Sequence, residues 1–230
     1  MSLPATPHPP ISAAQSGLRT AQGRRVSISR EELIDAALQL IGPNRSISTV
    51  GLREIARGAG IAPNSFYRHF RDVDALAIAL IERAGTELRS IIGEARQRAS
   101  AQRSVVQTSM EVFIEQLRAE QGYLLLLLRE GKVGSVAFKQ AVEQQLCFFE
   151  QELQVDLVRL EQAQGHQLHA PDLVAKAITR LVFAMGATAV EQDEAGQAQV
   201  LAQTVDMLHM IIVGARTMAL SRSESAGLQH

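Results

Sequence analysis

The stretch from Leu52 to Phe70, LREIARGAGIAPNSFYRHF, combines hydrogen-bonding and cationic side chains with regularly spaced apolar ones. Asparagine and serine hydrogen-bond to the edges of bases, whereas tyrosine, histidine and arginine bind phosphate oxygens. Side chains of these types therefore suit contact with double-stranded DNA. The candidate contact residues in and beside the stretch are Arg53, Asn64, Ser65, Tyr67, Arg68, His69 and Arg71.

Two short helices joined by a turn would position these side chains. The spacing predicts one helix from Leu52 to about Gly58, a turn at Gly60, and a second helix from Pro63 to Phe70. The apolar residues would face inward: Ile55, Ala56, Ala59, Ile61 and Phe66. This is the arrangement of a helix-turn-helix, whose second helix enters a major groove. Short helical hairpins with a glycine turn also occur in proteins that do not bind DNA.

The charge of the chain is divided unevenly along its length. Residues 1–71 carry nine arginines, no lysine and four carboxylates, which gives a net charge of +5. Residues 72–230 carry 14 basic and 20 acidic residues, which gives −6. A basic head on an acidic body favours contact of the head alone with nucleic acid. A solvated charged face is the alternative explanation of the same imbalance.

The periodicity predicts helices throughout. Ser29-Arg-Glu-Glu32 is a capping box that begins the first helix. Asp72 caps a long fourth helix, and five more helical segments follow, with a loop at Gly131–Gly134. No segment alternates with the period of a strand. We predict an all-α fold of about nine helices, with a disordered arm (1–27), a head (28–71), a body (72–220) and a disordered tail (221–230).

Composition excludes several other classes of protein. The single cysteine, Cys147, excludes a disulfide framework and a thiolate zinc cluster, and it fits a cytoplasmic protein. No apolar run approaches the roughly 18 residues that span a bilayer, so we expect no membrane association. His166 and His169 lie three residues apart, but two loop histidines without a third ligand are the simpler interpretation. No catalytic motif is present, and we expect no catalytic residue, metal or cofactor.

The head resembles the DNA-binding signature of the TetR family of regulators. The resemblance lies in Ile55-Ala56, Ala59-Gly60-Ile61 and Phe66-Tyr67-Arg68-His69-Phe70. The run Ala62-Pro63-Asn64-Ser65 and the run Arg71-Asp72-Val73-Asp74 are similar to the FabR and DesT branch of that family. The chain departs from many members at Val73, where they have a lysine that meets a phosphate, and at Ala62, where they have a capping serine.

The resemblance implies a function as well as a fold. It implies a helix-turn-helix domain at 28–71 and a ligand-binding and dimerisation domain at 72–220. It implies a homodimeric repressor that binds a near-palindromic operator and responds to a small hydrophobic ligand. The FabR and DesT branch implies control of unsaturated fatty-acid synthesis or desaturase genes in response to long-chain acyl-CoA. A TetR-type regulator of another ligand, such as a drug, is the first alternative. A helical enzyme acting on acyl-CoA is the second.

The aromatic residues of the body are candidates for a ligand pocket, although an aromatic stripe is more often plain core. They are Phe113, Tyr123, Phe138, Phe148, Phe149 and Phe183, together with Met185. Arg129 and Lys132 are candidates for binding a CoA head group, and Arg96, Arg98 and Arg103 are alternatives. The sequence does not choose among these cations.

The last two helices carry stripes of small and aliphatic residues that would suit a four-helix dimer interface. The candidate interface residues are Leu181, Ala184, Thr188, Leu208 and Ile212. Internal core is the alternative interpretation of the same stripes.

Overall fold

The computed structural model describes residues 28–42, 45–98, 105–119 and 122–227. Within these ranges the chain forms nine α-helices, a 3-10 turn at Ile47–Thr49 and no strand, which confirms the all-α prediction. The helices are α1 (Arg30–Ile41), α2 (Leu52–Gly58), α3 (Pro63–Phe66), α4 (Val73–Arg98), α5 (Val105–Arg118), α6 (Tyr123–Val133), α7 (Val136–Ala163), α8 (Pro171–Ala189) and α9 (Glu194–Gly227). The predicted arm lies outside the described residues.

Helices α1 to α3 form the head, and its first helix begins as the sequence predicts. The Glu32 N–H donates to Ser29 Oγ at 3.1 Å, and the Ser29 N–H donates to Glu32 Oε2 at 2.6 Å. These hydrogen bonds hold the pKa of Glu32 below its ordinary value. Gly42 ends α1 with a φ of +55°, a conformation that favours glycine.

Helix α4 joins the head to the body. Asp72 caps it, because the Ala75 N–H donates to Asp72 Oδ1 at 2.7 Å. Further along, α4 packs against α5, α6 and α7, while α8 packs between α7 and α9. Arg180 of α8 ties that helix to α7 through Glu143 and Glu150, each at 2.6 Å. The body is therefore a helical bundle in which α4 is one wall.

In the body, the ends of α6 and α9 differ from those that the sequence predicts. Helix α6 continues through Gly131 to Val133, where we expected a loop, and it ends at Gly134. A single glycine costs about 1 kcal/mol in a helix, which tertiary packing overrides here. Helix α9 runs to Gly227, past the boundary expected at residue 220.

Helix α9 is long and apolar enough over Glu194–Ser221 to cross a membrane by length and composition. The short unbroken apolar runs of this segment do not predict such a helix, whereas an average over 18 residues tolerates polar residues between apolar ones. Only 22% of that window is buried inside the protomer. One such helix is weak evidence for a membrane span, and an apolar face left exposed on a protomer is also what a protein interface requires.

A buried carboxylate on α6 joins the body to the head. Glu130 is completely buried, and its Oε1 accepts a hydrogen bond from the Ile47 N–H at 3.1 Å. Its Oε2 accepts a second bond from Ser46 Oγ at 3.1 Å. The neighbouring Arg129 donates to the Arg45 carbonyl at 2.6 Å. We call these contacts, from Arg129 and Glu130 to residues 45–47, the α6 clamp.

Replacing Glu130 by alanine should destabilise the chain. The Ile47 N–H is buried and would lose its acceptor, which costs about 1–3 kcal/mol. We therefore expect Glu130→Ala to lower the free energy of unfolding by at least about 2 kcal/mol, measured by urea denaturation at a fixed protein concentration.

Glu130→Gln is the matched control, because its amide oxygen can still accept from the Ile47 N–H. We expect it to cost less than half as much as Glu130→Ala. Equal losses for the two variants would show that the hydrogen bond to Ile47 does not account for the stabilisation.

Candidate DNA-binding surface and ligand cavity

Helices α2 and α3 meet at a tight turn that leaves one side of α3 exposed. Gly60 has a φ of +66°, and the Ile61 N–H donates back to the Ala56 carbonyl at 2.9 Å. Of the five residues predicted to face inward, Ile55, Ala56 and Phe66 are buried, while Ala59 and Ile61 are half-buried against the same core. The turn therefore fixes the direction in which the residues of α3 point.

The predicted contact residues lie largely on the outer side of this hairpin. Asn64, Tyr67 and Arg68 are exposed, while Ser65 and His69 are half-buried. The Tyr67 ring is 59% exposed although it packs edge-on against Phe66, at 5.8 Å between ring centroids. A hydroxyl held outward on a packed ring is well placed to meet a phosphate.

Arginines surround this surface. Arg53 and Arg57 are exposed on α2. Arg57 is not among the predicted contact residues, although its four-residue spacing from Arg53 puts both on one face of the helix. Arg71 is 85% exposed and pairs with Asp72 at 2.7 Å. Because Asp72 also caps α4, this pair holds Arg71 at the junction of head and body.

The helix beginnings are weakly capped at two positions. Gly51 before α2 and Ala62 before α3 make no side-chain capping bond. Helix α3 is one turn, Pro63–Phe66, and the chain continues as turns to His69, so the helix is shorter than the one predicted to Phe70. A cap without a side-chain acceptor costs about 1 kcal/mol, which is consistent with so short a helix.

The body contains an apolar cavity of about 540 Å³, its opening included, bounded by α4, α5, α7, α8 and α9. Its enclosed part is about 80 Å³, smaller than a drug-sized ligand site, so a larger ligand would also occupy the opening. Its wall is apolar except at Arg96, Ser109 and Thr179. The remaining lining residues are Ile92, Val106, Met110, Phe113, Phe149, Leu153, Ile178, Val182, Phe183 and Leu208.

Three of the seven predicted pocket residues line this cavity. Phe113, Phe149 and Phe183 form an aromatic cluster with centroid distances of 6.2 Å and 5.5 Å. Gly186 makes room for it, since a Cβ there would lie 2.6 Å from the Phe113 ring.

The other four predicted pocket residues do not line the cavity. Phe138 is buried near the end of α6, and Tyr123 lies beside Arg83. Phe148 is 37% exposed, with the Arg89 guanidinium 5.1 Å from its ring. Met185 is half-buried and is not part of the cavity wall. The helical period assigned these residues to the body but did not say which side of each helix faces the cavity.

The two cations predicted for a ligand head group also lie elsewhere. Arg129 is committed to the α6 clamp, and burial lowers its pKa while the Glu130 charge opposes that change. Lys132 pairs on the surface with Glu191 at 3.0 Å. Of the alternatives, Arg96 lines the cavity, whereas Arg103 lies outside the described residues and so does the side chain of Arg98.

The predicted dimer residues divide between two environments. On α8, Ala184 and Thr188 are exposed and Leu181 is half-buried. On α9, Leu208 and Ile212 are buried inside the protomer, so they do not lie on the exposed face. The exposed stripe of α9 is instead Asp206, Met210, Val213, Thr217 and Leu220. Helix α9 carries apolar residues on more than one side, and the spacing selected the side that packs inside the protomer.

The comparisons with known proteins agree with this architecture. Residues 33–80 match the model of the family described as bacterial regulatory proteins, tetR family. A tetR-family transcriptional regulator from Streptomyces coelicolor has a TM-score of 0.63 at 22% identity, covering 82% of each chain. A TetR-family regulator from Pectobacterium atrosepticum also has a TM-score of 0.63, at 19% identity, covering 81% of this chain and 93% of that one.

A third similar structure is the fatty acid degradation regulator FadR from Bacillus halodurans. Its TM-score is 0.62 at 16% identity, covering 86% of this chain and 99% of that one. At these identities the structures share the fold with this chain, while the family match covers the head and the start of α4. The head therefore matches the tetR family model over residues 33–80, and the chain shares its overall fold with these solved regulators.

Proposed function

We propose that the chain is a homodimeric repressor whose α3 residues read an operator and whose body cavity binds a long-chain acyl ligand. The main support is that one helix, α4, borders the cavity and carries the head. Asn64 and Ser65 would contact base edges, and Tyr67, Arg68, His69, Arg53 and Arg71 would contact the phosphate backbone. The half-sites would lie about 34 Å apart, one helical turn of DNA.

Helix α4 offers a direct route from ligand to DNA. Ile92 and Arg96 of α4 line the cavity, and α4 begins three residues after Phe70 of the head. Arg89 of α4 also lies 5.9 Å from the ring of Phe149, which lines the cavity. A ligand that moves Phe149 or Arg96 therefore acts on the helix that carries the DNA-binding surface. Such a ligand changes operator affinity only if it binds the two conformations with different affinity.

An acyl chain suits the cavity because most of the wall is aliphatic or aromatic. Burial contributes about 0.8 kcal/mol per CH₂, so affinity should rise with chain length until the cavity is full. The similarity of the body to a regulator named for fatty acid degradation supports this class of ligand. Long-chain acyl-CoA, and control of unsaturated fatty-acid synthesis or desaturase genes, remain the specific proposal that the resemblance to FabR and DesT implies.

A regulator of another hydrophobic ligand, such as a drug, is the second candidate. The observation that favours it is the lack of a cation cluster for a CoA head group among the described residues at the cavity, where Arg96 is the single charged lining residue. An acyl-CoA-acting enzyme has less support, because the head matches the model of a family of regulators and the fold resembles that of solved regulators.

Substitutions on α3, and at Tyr67 directly after it, should distinguish contacts with the DNA backbone from contacts with base edges. We expect Tyr67→Ala to weaken binding to operator and to random DNA by the same factor. Asn64→Ala and Ser65→Ala should instead each reduce the difference in binding free energy between operator and random DNA by about 1–3 kcal/mol. The measurement is fluorescence anisotropy with an operator selected from genomic fragments.

Tyr67→Phe is the control, since it keeps the ring that packs on Phe66 and removes only the hydroxyl. It should lose affinity much as Tyr67→Ala does. If Tyr67→Ala reduces specificity while Asn64→Ala does not, α3 is rotated relative to this assignment.

The exposed stripes of α8 and α9 should form the dimer interface. Val213 is 56% exposed on α9, and two-fold symmetry would bury two copies of it. Val213→Asp should raise the dimer dissociation constant at least about 100-fold, because each copy loses apolar burial and gains a buried charge. Analytical ultracentrifugation measures this.

Val155→Asp on α7 is the matched control, because Val155 is 68% exposed and lies on another helix. It should remain dimeric. Dissociation by Val155→Asp but not by Val213→Asp would move the interface to α7.

Narrowing the cavity should weaken ligand binding without weakening DNA binding. A methyl group at Gly186 would push the Phe113 ring toward the cavity. We expect Gly186→Ala to lower the affinity for hexadecanoyl-CoA about tenfold, measured by calorimetry, and to leave operator binding of the ligand-free protein unchanged.

Gly131→Ala on α6 is the control, since the nearest atom to its new methyl group would be Val142 Cγ1 at 3.4 Å, an ordinary contact outside the cavity wall. It should bind the ligand as the parent protein does. Unchanged ligand affinity in Gly186→Ala would show that the ligand lies elsewhere.

A further inference from the structure

We propose that Arg96 and Ser109 bind the carboxylate of a long-chain carboxylic acid whose alkyl tail contacts the three phenylalanines of the cavity. This inference rests on the acyl ligand proposed above and specifies the end group that the site recognises. The carboxylate would lie between α4 and α5, and the tail would extend among α5, α7 and α8.

Arg96 supplies charged donors inside an apolar cavity. Its side chain is only 7% exposed, and its Nε donates to Asp156 Oδ2 at 2.6 Å. Among the described residues its two terminal nitrogens have no hydrogen-bond partner. A guanidinium has five N–H donors, so four remain for a ligand. These donors belong to a largely buried side chain that borders the opening of the cavity.

Ser109 gives a second, independent indication. It lines the same cavity from α5, and its Oγ is buried without a hydrogen-bond partner. A buried hydroxyl without a partner is destabilising, which makes an acceptor from the ligand the simplest explanation for a serine here. Arg96 is two residues from the end of α4 and Ser109 is in the second turn of α5, so the two lie toward the connected ends of neighbouring helices.

The local charge favours an anion over a neutral polar group. Asp156 accepts hydrogen bonds from Arg96 at 2.6 Å and from Arg159 at 2.9 Å. Two guanidinium groups and one carboxylate leave a net charge of +1 beside the cavity. Among the described lining residues there is no acidic side chain to compensate it. A guanidinium and a hydroxyl donor together match the two oxygens of a carboxylate.

Free acid and CoA thioester can be distinguished with probes that share one chain. The chain has no tryptophan, so calorimetry is the direct measurement. The probes are hexadecanoic acid, hexadecan-1-ol and hexadecanoyl-CoA, each below its critical micelle concentration. The proteins are the parent chain, Arg96→Met, Ser109→Ala and, as a matched removal of one positive charge far from the cavity, Lys132→Met.

The parent chain and Lys132→Met should bind the acid at least about tenfold more tightly than the alcohol, because a charge-assisted hydrogen bond is stronger than a neutral one. In Arg96→Met that preference should fall below about threefold, with the affinity for the alcohol retained. Ser109→Ala should lower the affinity for the acid at least about threefold and leave the alcohol unchanged. Because Ser109→Ala removes one atom, it tests the site even if Arg96→Met does not fold.

Equal affinity for acid and alcohol in the parent chain would overturn the carboxylate assignment. The assignment would also be overturned if Arg96→Met lowered the affinities for the acid and for the alcohol by the same factor. Tight binding of hexadecanoyl-CoA that Arg96→Met does not change would overturn it while supporting the acyl-CoA regulator. Absence of binding by all three probes would overturn the proposed acyl ligand itself, together with this inference.

Discussion

The carboxylate of Glu130 holds together two parts of the molecule that must move relative to each other if the ligand controls DNA binding. It is completely buried and satisfies a backbone N–H at Ile47, which cannot be solvated where it lies. A buried donor of this kind has few alternatives, so the clamp has one favourable arrangement rather than a continuum. The beginning of the 3-10 turn in the head is thus fixed to the end of α6 in the body. Arg45 extends the contact by pairing with Glu54 of α2 at 2.6 Å, so the clamp reaches the helix that precedes α3.

The head is therefore attached to the body at two places, the clamp and α4. The α4 attachment carries its own set of polar contacts. Arg89 donates to Gln145 at 2.6 Å and to Glu152 at 3.0 Å on α7, and Gly85 leaves room for Gln145. Arg83 pairs with Asp35 of α1 at 2.6 Å, which secures the beginning of α4 to the head. Under the proposed function, a change in the position of α4 relative to α6 would therefore act on the head at both attachments.

Local patterns predicted the head well, and non-local packing limited the prediction of the body. The capping box at Ser29 and the turn at Gly60 depend on contacts within a few residues, and both are present as predicted. The cavity depends on which side of each helix faces inward. Phe148 and Phe149 are adjacent, yet only Phe149 borders the cavity. Leu208 was assigned to a dimer face for the same reason, because α9 is apolar on more than one side. The sequence did not predict the α6 clamp, because the partners of Arg129 and Glu130 lie more than 80 residues away in the chain.

Under the proposed function, the length of α4 explains how a small movement in the cavity wall could displace the DNA-binding surface. Its 26 residues span about 39 Å at 1.5 Å per residue. A rotation of about 5° about one end displaces the other by about 3 Å, which exceeds the few tenths of an ångström that a hydrogen bond tolerates. In a two-fold dimer both heads would tilt together, so the distance between the two recognition surfaces would change by about twice the displacement of one head. Two surfaces that must enter successive major grooves at a fixed separation cannot both follow such a change. Under the proposed function, a ligand would not need to unfold the head or to touch it, because on so long a helix a shift of one side chain in the cavity wall would be enough to spoil the fit at the operator.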